Sequence, residues 1–526
     1  MNRTYLVVFV SSLLIFVKSF SQEIPEPTIS QYLQGNDSKN VLKGQVLDID
    51  KHTALPYATI FVLHKNKGVV SNEQGFFNLD ISDLDKLDTI RFQYIGYKTR
   101  DIPFDHFDTL MVVYLKEEIF NLSEILIFGS NPDPKAIVKK VLVNKASNYR
   151  TTTSKRQAFI RERDIQDIDE FKIKYKKSTI PKLDREMLAL VQDKFPKNFT
   201  SFTDFLGDLY FNENPDDSVL FKIDPIRTVS LKEKDVADLD QLEAIFENVF
   251  ANTNEDEYWK VKSGIFGDKI DMEEDEAIND SIMKIEEAKK DSLKKSERRL
   301  KYYTRNVKNQ LRYTTLDDKN QWEFLYKTGN YHYTLAGGTR VNGEDVYIID
   351  FTPKKSGKYI GRIFITTNTY ALIRADYEYA PGKTGRDIHL LGIGYTETQF
   401  AGSIYFEKKT DNYVLKYFTN KTGFKASIDR NIALIKKRKR FFIDKKLKEL
   451  KVGFFLSMIM DESFEYLVLD DQKISNEQFT GFGQKKSLEV IYVDQFDDKL
   501  WQGFSIIEPT RQMKEYKKQE VNFRTK

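Results

Sequence analysis

The chain has 526 residues, 40% hydrophobic, 31% charged and 13% aromatic, with only 13 prolines; this is about three domains' worth of folded protein and excludes a collagen-like or largely disordered chain. Lys and Arg number 82 against 79 Asp and Glu, a formal net charge of +3, so no global field draws in a polyanion and composition does not suggest nucleic acid as a partner. The absence of cysteine excludes disulfides, iron–sulfur clusters, thiolate zinc, thiol nucleophiles and a lipid-carrying N-terminal Cys.

At the N-terminus Arg3 precedes two apolar runs, Leu6–Val10 and Leu13–Val17, and Ser19-Phe20-Ser21 puts small residues where a signal peptidase reads. The pattern predicts an export signal over residues 1–21, cleaved before Gln22. The apolar stretch is broken by Ser11-Ser12 and stopped by Lys18, short of the ~20 residues of a span. The best later candidate for a transmembrane helix, 452–460, is bounded by Lys451 and Asp461, so the mature chain is expected to carry none. A polar leader occupies 22–40.

Residues 41–129 show period-two patterning between turn signals. Phe77, Leu79 and Ile81 alternate with Asn78 and Asp80; Ile90, Phe92 and Tyr94 alternate with Arg91 and Gln93; Met111, Val113 and Leu115 form one face of a further strand. Gly44, Gly68, Gly75 and Gly96 punctuate them, and the spacing predicts a small antiparallel β-sandwich. Gly44-Gln-Val46, Leu55-Pro56-Tyr57-Ala58-Thr-Ile60, Gly68 to Phe77, Phe92 to Tyr97 and Leu122-Ser-Glu124-Ile125 follow one another in an order that resembles the carboxypeptidase regulatory-like domain. The likeness is greatest to the copy at the N-termini of TonB-dependent outer-membrane receptors. It implies a transthyretin-like sandwich of about seven strands, in an envelope protein of a Gram-negative bacterium, periplasmic or associated with the outer membrane. Asn72 departs from the commoner Asp in the turn before Gly75. The resemblance does not extend to a peptidase: none of His52, His64, His106, His332 and His389 has Glu three residues on, so no open zinc site is encoded.

Asp133-Pro134 opens a helix, with Ile137, Val141, Leu142 and Ala146 as its apolar stripe, ending by Asn148. A strand resumes at 156–163. The helix followed by this strand resembles an envelope family in which the sandwich precedes a soluble β-rich region of unknown function. Residues 181–260 read as short helices and loops, and 271–301 as a solvated amphipathic helix bearing Ile278, Ile282 and Ile285, the last part of a mixed region 130–301. An antiparallel sheet is predicted over 302–425, with strands at 346–351, 360–365, 403–406 and 413–418. In 371–379, Ala371, Ile373, Ala375, Tyr377 and Tyr379 alternate with Leu372, Arg374, Asp376 and Glu378, which predicts one buried and one wet face. The run from Val346 to Arg374 resembles the sheet of lipoprotein-carrier proteins, which implies a curved sheet around an apolar cavity. The five alternating residues are then the candidate ligand face. A basic α/β region, 426–526, completes the chain; its Lys436-Lys-Arg-Lys-Arg440 and Lys445, Lys446, Lys448 and Lys451 read as a solvated helix face or as a contact for an anionic surface.

The fold class expected is mainly β with α segments: an N-terminal antiparallel β-sandwich, then an α+β region with a large antiparallel sheet. Catalytic signals are weak. Gly382-Lys383-Thr384 lacks the upstream Gly of a phosphate loop, since position 377 is Tyr. Asp83, Asp85 and Asp88 lack the Gly and closing Glu of a calcium loop. The pairs Asp275/Glu276 and Glu286/Glu287 lie in the charged helix. Tyr302, Tyr303, Tyr313, Trp322, Tyr331 and Tyr333 fit a core better than a sugar platform. The reading is an exported, non-enzymatic protein without cofactor or metal, binding an apolar or polymeric ligand, with an outer-membrane protein, lipid or glycan as partner and no nucleic acid. The alternative is an envelope hydrolase whose site has no recognisable motif.

Overall fold

The computed structural model describes residues 41–516 apart from 107–109, 121–131, 213–219, 233–255, 271–290 and the positions 66, 151, 182, 196, 264–265, 411, 442, 502–503 and 505. The export signal, the leader, the closing Leu122–Ile125 piece and most of the charged segment 271–301 lie outside the described residues.

Seven short strands build the N-terminal module. They are β1 (Val41–Asp48), β2 (Thr59–Val62), β3 (Gly68–Val70), β4 (Phe76–Asp80), β5 (Thr89–Gln93), β6 (Arg100–Pro103) and β7 (Leu110–Leu115). One sheet has the order β4-β1-β7 and the other β3-β2-β5-β6. The pairs are antiparallel, as expected, apart from β1 with β7, which run parallel. Val46, Ile60, Phe77, Leu79, Ile90, Phe92, Val113 and Leu115 close a core of the module's own. Asn72 turns the chain before Gly75: its Oδ1 accepts from the backbone N–H groups of Gln74 and Phe76 at 2.9 and 3.0 Å.

The remaining strands form one sheet of fourteen. In chain order they are β8 (Ser154–Ser178), β9 (Asn198–Asn212), β10 (Leu220–Lys232), β11 (Glu257–Ser263), β12 (Phe266–Ile270), β13 (Tyr331–Val341) and β14 (Glu344–Pro353). Then come β15 (Tyr359–Thr366), β16 (Leu372–Tyr379), β17 (Asp387–Leu390), β18 (Ile393–Lys409), β19 (Asn412–Arg438), β20 (Lys445–Lys473) and β21 (Ile491–Val493). The main path is β13-β14-β15-β16-β18-β19-β20-β8-β9-β10-β21, antiparallel up to the parallel β10/β21 pair.

Several expectations are corrected. Among the described residues, 181–260 hold helix α2 (Arg185–Lys194), the long strands β9 and β10 and the start of β11, in place of the expected short helices and loops. Helix α3 (Asp291–Leu311) runs ten residues past 301, so the sheet resumes only at Tyr331. Strand β19 crosses residue 425 without a break, and the basic stretch 436–451 is the end of the β19–β20 hairpin, not a helix. The helix opened by Asp133 is present as α1 (Pro134–Val143); the Asp133 carboxylate accepts from Lys135 N–H at 3.0 Å.

The sheet is covered on both faces. On the inner face α1, α3 and α4 (Glu323–Tyr326) pack Val138, Val141, Tyr303, Val307, Trp322 and Phe324 over Ile160, Phe205, Ile349, Ile363, Ala375 and Tyr466. On the outer face, Val70 of the module and Trp501, Ile506, Ile507 and Met513 of the C-terminal segment cover Phe159, Phe202, Leu206, Tyr417 and Leu467. Two adjacent cross-strand rows show the division. Ile349, Ile363, Ala375, Ile404, Phe418, Tyr466, Ile160 and Phe205 stand opposite one another across eight strands. The next residues along, Asp350, Arg362, Asp376, Ser403, Thr419, Glu465, Arg161 and Asp204, make an outer row in the same register. Side chains alternate across a strand, so a fully apolar row adjoins a fully polar one.

Candidate functional site

The first five residues of the polar row, Asp350 to Thr419, are the floor of a cleft of about 640 Å³ between the module and the sheet. Asp350, Arg362, Asp376 and Ser403 come from four successive strands, Glu378, Ala401 and Lys421 widen the floor, and Tyr57 of the module overhangs it. Each strand contributes one side chain because the row lies straight across the ladder.

The charges at the centre of the floor, on Asp350, Arg362 and Asp376, are paired. Arg362 meets Asp350 through two hydrogen bonds of 2.6 and 2.9 Å, and that carboxylate holds the guanidinium pKa above its ordinary value. Ser403 donates to Asp376 at 2.6 Å, and Arg374 donates to the other oxygen at 2.8 Å. Burial opposes the Arg374 charge, but Asp376 and Tyr94 outweigh it and raise its pKa. Farther along the row, Arg161 grips Asp204 with two bonds of 2.7 Å. Between them Glu465 stands opposite Arg161; burial pushes its carboxyl up to about 7, against the pull of Arg161 and with the push of Glu73.

The module is fixed to the floor on either side of the cleft. On one side Tyr94 accepts from Arg374 at 3.0 Å, with the guanidinium 4.4 Å above its ring. On the other, Lys421 pairs with Glu73, and the Tyr57 ring stacks on Tyr417 at 4.8 Å. Tyr57 follows Pro56 and has φ +63°, a left-handed backbone that a bulky side chain adopts only where its surroundings hold it. Asn72 adds a tie, donating its amide to the Glu508 carbonyl at 3.2 Å. An Asp here could not donate, which gives the departure from the commoner pattern a structural use.

The candidate ligand face is placed differently from its alternation. A register shift between Phe364 and Ile365 puts Leu372 opposite Ile365, on the same face as Ala375 and Tyr377, so Ala371 and Ile373 fall out of line. The wet face is also corrected: Leu372 and Arg374 are buried. Ala371, Ile373, Ala375 and Tyr377 are buried as well. Trp322 and Phe324 stand 5.5 and 5.0 Å from the Tyr377 ring, where a cavity would place a ligand. Tyr379 packs at 5.3 Å from Tyr359 and its hydroxyl meets Glu397 at 3.2 Å. The floor of the cleft was not anticipated, although Asp376 and Glu378 belong to the polar half of the same alternation.

Other singled-out groups have structural partners. Asp83 pairs with Lys67 and Asp88 with Lys65, and Lys383 closes a turn by donating its N–H to Ala380 at 2.9 Å. Trp322 and Tyr331 are fully buried in the core. Ser403 has a carboxylate beside it, and among the residues lining the cleft there is no histidine; what the arrangement offers a ligand is hydrogen bonding.

Comparison with known proteins follows this division. No curated protein matches the sequence. Among solved structures the chain is similar to the MucA/MucB complex of Pseudomonas aeruginosa, at 9% identity and a TM-score of 0.16 over 63% of this chain and 93% of that one. It is similar to a LolA superfamily protein of Nitrosomonas europaea, at 8% identity and 0.16 over 66% and 98%. A third is a putative outer membrane lipoprotein-sorting protein domain of Vibrio parahaemolyticus, at 9% identity and 0.18 over 66% and 98%. At such scores none of the three bears on what this chain binds. The described helices include none long and apolar enough to cross a membrane. Residues 42–127 match the family model of the CarboxypepD_reg-like domain, and the seven-stranded module at the head of this chain is a domain of that family.

Proposed function

We propose that this protein is an exported, non-enzymatic binding protein of a Gram-negative envelope, and that the cleft over the Asp350–Arg362–Asp376 row holds a neutral, hydroxyl-rich polymer such as a glycan segment. One observation carries the reading: the charges at the centre of the floor are matched, Arg362 by Asp350 and Asp376 by the buried Arg374 behind it. A floor of paired charges keeps hydrogen-bonding capacity without attracting a counter-ion. The volume lies within the ~300–1,000 Å³ typical of ligand sites, and Tyr57 supplies a ring at its edge. The alternative, an acyl chain held against Ala371, Ile373, Ala375, Tyr377 and Tyr379, requires the Trp322 and Phe324 rings to leave the inner face.

Native mass spectrometry of protein purified from its own envelope fraction tests the proposal. The expected species begins at Gln22 and carries an oligosaccharide mass, and Arg362→Ala, which strips the floor of its bidentate donor, loses most of that adduct. A chain starting at Met1 removes the export reading, and a lipid adduct retained by Arg362→Ala removes the cleft.

A further inference from the structure

The end of the β19–β20 hairpin combines exposed apolar side chains with a dense positive cluster. Phe441 and Ile443, in the turn between the strands, are 94% and 83% exposed. Around them, residues 436–451 hold nine Lys or Arg against only Asp444 and Glu449. Single exposed apolar residues are ordinary; an apolar pair inside a ring of one charge sign is a surface with two chemistries at once.

The stem below the turn is firmly built. Lys436 and Arg438 reach Glu257 of β11 at 2.8 and 2.6 Å, and Lys446 and Lys451 reach Glu449 at 2.8 and 3.0 Å. Tyr258 donates to Asp444, which fixes the base of the turn. These acids offset four of the nine cations; of the other five, Lys437 and Lys448 are half-buried on the stem, and Lys439, Arg440 and Lys445 are exposed beside the two apolar side chains. On the β20 side the turn projects, since β8 follows β20 only to Leu450 whereas β19 and β20 pair on to Arg438 and Lys445; on the other side β11 accompanies β19 to Arg438, so residues 439–444 stand beyond both neighbours.

We propose that this turn is a lipid-contacting finger, which sets Phe441 and Ile443 into the surface of an anionic phospholipid bilayer while Lys439, Arg440 and Lys445 meet headgroup phosphates. A bilayer interface takes apolar side chains and cations at adjacent depths. The projecting turn matches it better than a protein groove, which would have to bring an apolar hole and an acidic rim together. The finger lies far from the cleft, and neither assignment depends on the other.

Flotation of the full chain with vesicles of phosphatidylcholine, alone or mixed with phosphatidylglycerol, tests it. The unmodified protein is expected to float with the mixed vesicles, to do so less as salt is raised, and to stay behind with phosphatidylcholine alone. Phe441→Ser with Ile443→Ser is expected to lower apparent affinity roughly tenfold or more with an unchanged melt, since both side chains are exposed. Lys439→Glu with Lys445→Glu is expected to abolish the preference for the anionic vesicles. In Phe441→Trp, indole emission should shift to the blue on binding and be quenched by brominated acyl chains. Equal flotation of the double serine variant, equal binding to both vesicle types, or an indole that stays in water overturns the proposal. No flotation by the unmodified protein, with a crosslinked protein partner lost in the double serine variant, assigns the turn to a protein contact instead.

Discussion

Glu162 sits half-buried on the inner face beneath α3 and accepts from Asn306 at 2.8 Å. Burial, then the neighbouring Asp164, pushes its carboxyl up to about 8 despite that bond. Glu462 stands directly opposite Asp164 and is pushed up to about 7 by burial and the same neighbour. Both groups hold their protons more tightly folded than unfolded, where the value is 4.5. The contribution of these two groups to stability is therefore full at the acid end of this window and is lost as pH rises from about 4.5 to about 8. The melting temperature at about pH 9 is expected to lie below that at about pH 5. Glu162→Gln, which keeps the acceptor and removes the charge, is expected to raise it at pH 9 and flatten the profile, as read by thermal scans across pH. No motif marks these residues: Glu162 and Glu462 are 300 positions apart, and only the ladder brings them together.

Strand β16 carries the argument at the scale of elements. Ala375 is the smallest member of the eight-residue apolar row, and the Tyr377 ring beside it covers Gly361 and Gly402, its partners on either side. In a packed layer of this kind Ala375→Leu is expected to cost about 1–3 kcal/mol by overpacking, measured by denaturant melts, and the unmodified protein is expected not to take up a fluorescent fatty-acid probe. Neutral stability with probe uptake would restore the cavity. Alternation made β4, β5, β7 and β14 to β16 legible within a few residues. Strand β9 hid itself: Phe202, Phe205, Leu206 and Leu209 have helical spacing, because Phe202 and Leu206 face the outer core while Phe205 and Leu209 face the inner one. The basic ends of β19 and β20 hid for another reason: the acid that pairs with Lys436 and Arg438 is Glu257, nearly two hundred residues earlier, and local charge density alone looks the same on a helix. The cleft was illegible because its floor is one residue from each of several strands, a set that exists only in register.

The whole molecule is a sheet with a small domain seated on it. The module has its own apolar core, and its contacts with the sheet mix polar ties, such as Tyr94 to Arg374 and Glu73 to Lys421, with a few apolar ones, from Tyr57, Val70 and Ile95. Expressed alone, residues 41–129 are therefore expected to give a cooperative melt and a β-type far-UV spectrum. An unfolded fragment would mean that the docking surface completes its core. Strand length adds a mechanical property. From Lys421, under the module, to Arg438, at the basic turn, β19 runs seventeen residues, ~55 Å at about 3.3 Å per residue, and β20 and β8 lie alongside for most of that distance. A pull at the turn directed along the strands loads the cross-strand hydrogen bonds in shear, all together, where a sideways pull opens them one after another. The hairpin is therefore expected to act as a stiff rod whose give concentrates at the bulges at Lys436/Lys437, Lys451/Val452 and Ser457/Met458, so that a displacement at its tip reaches the module largely undiminished.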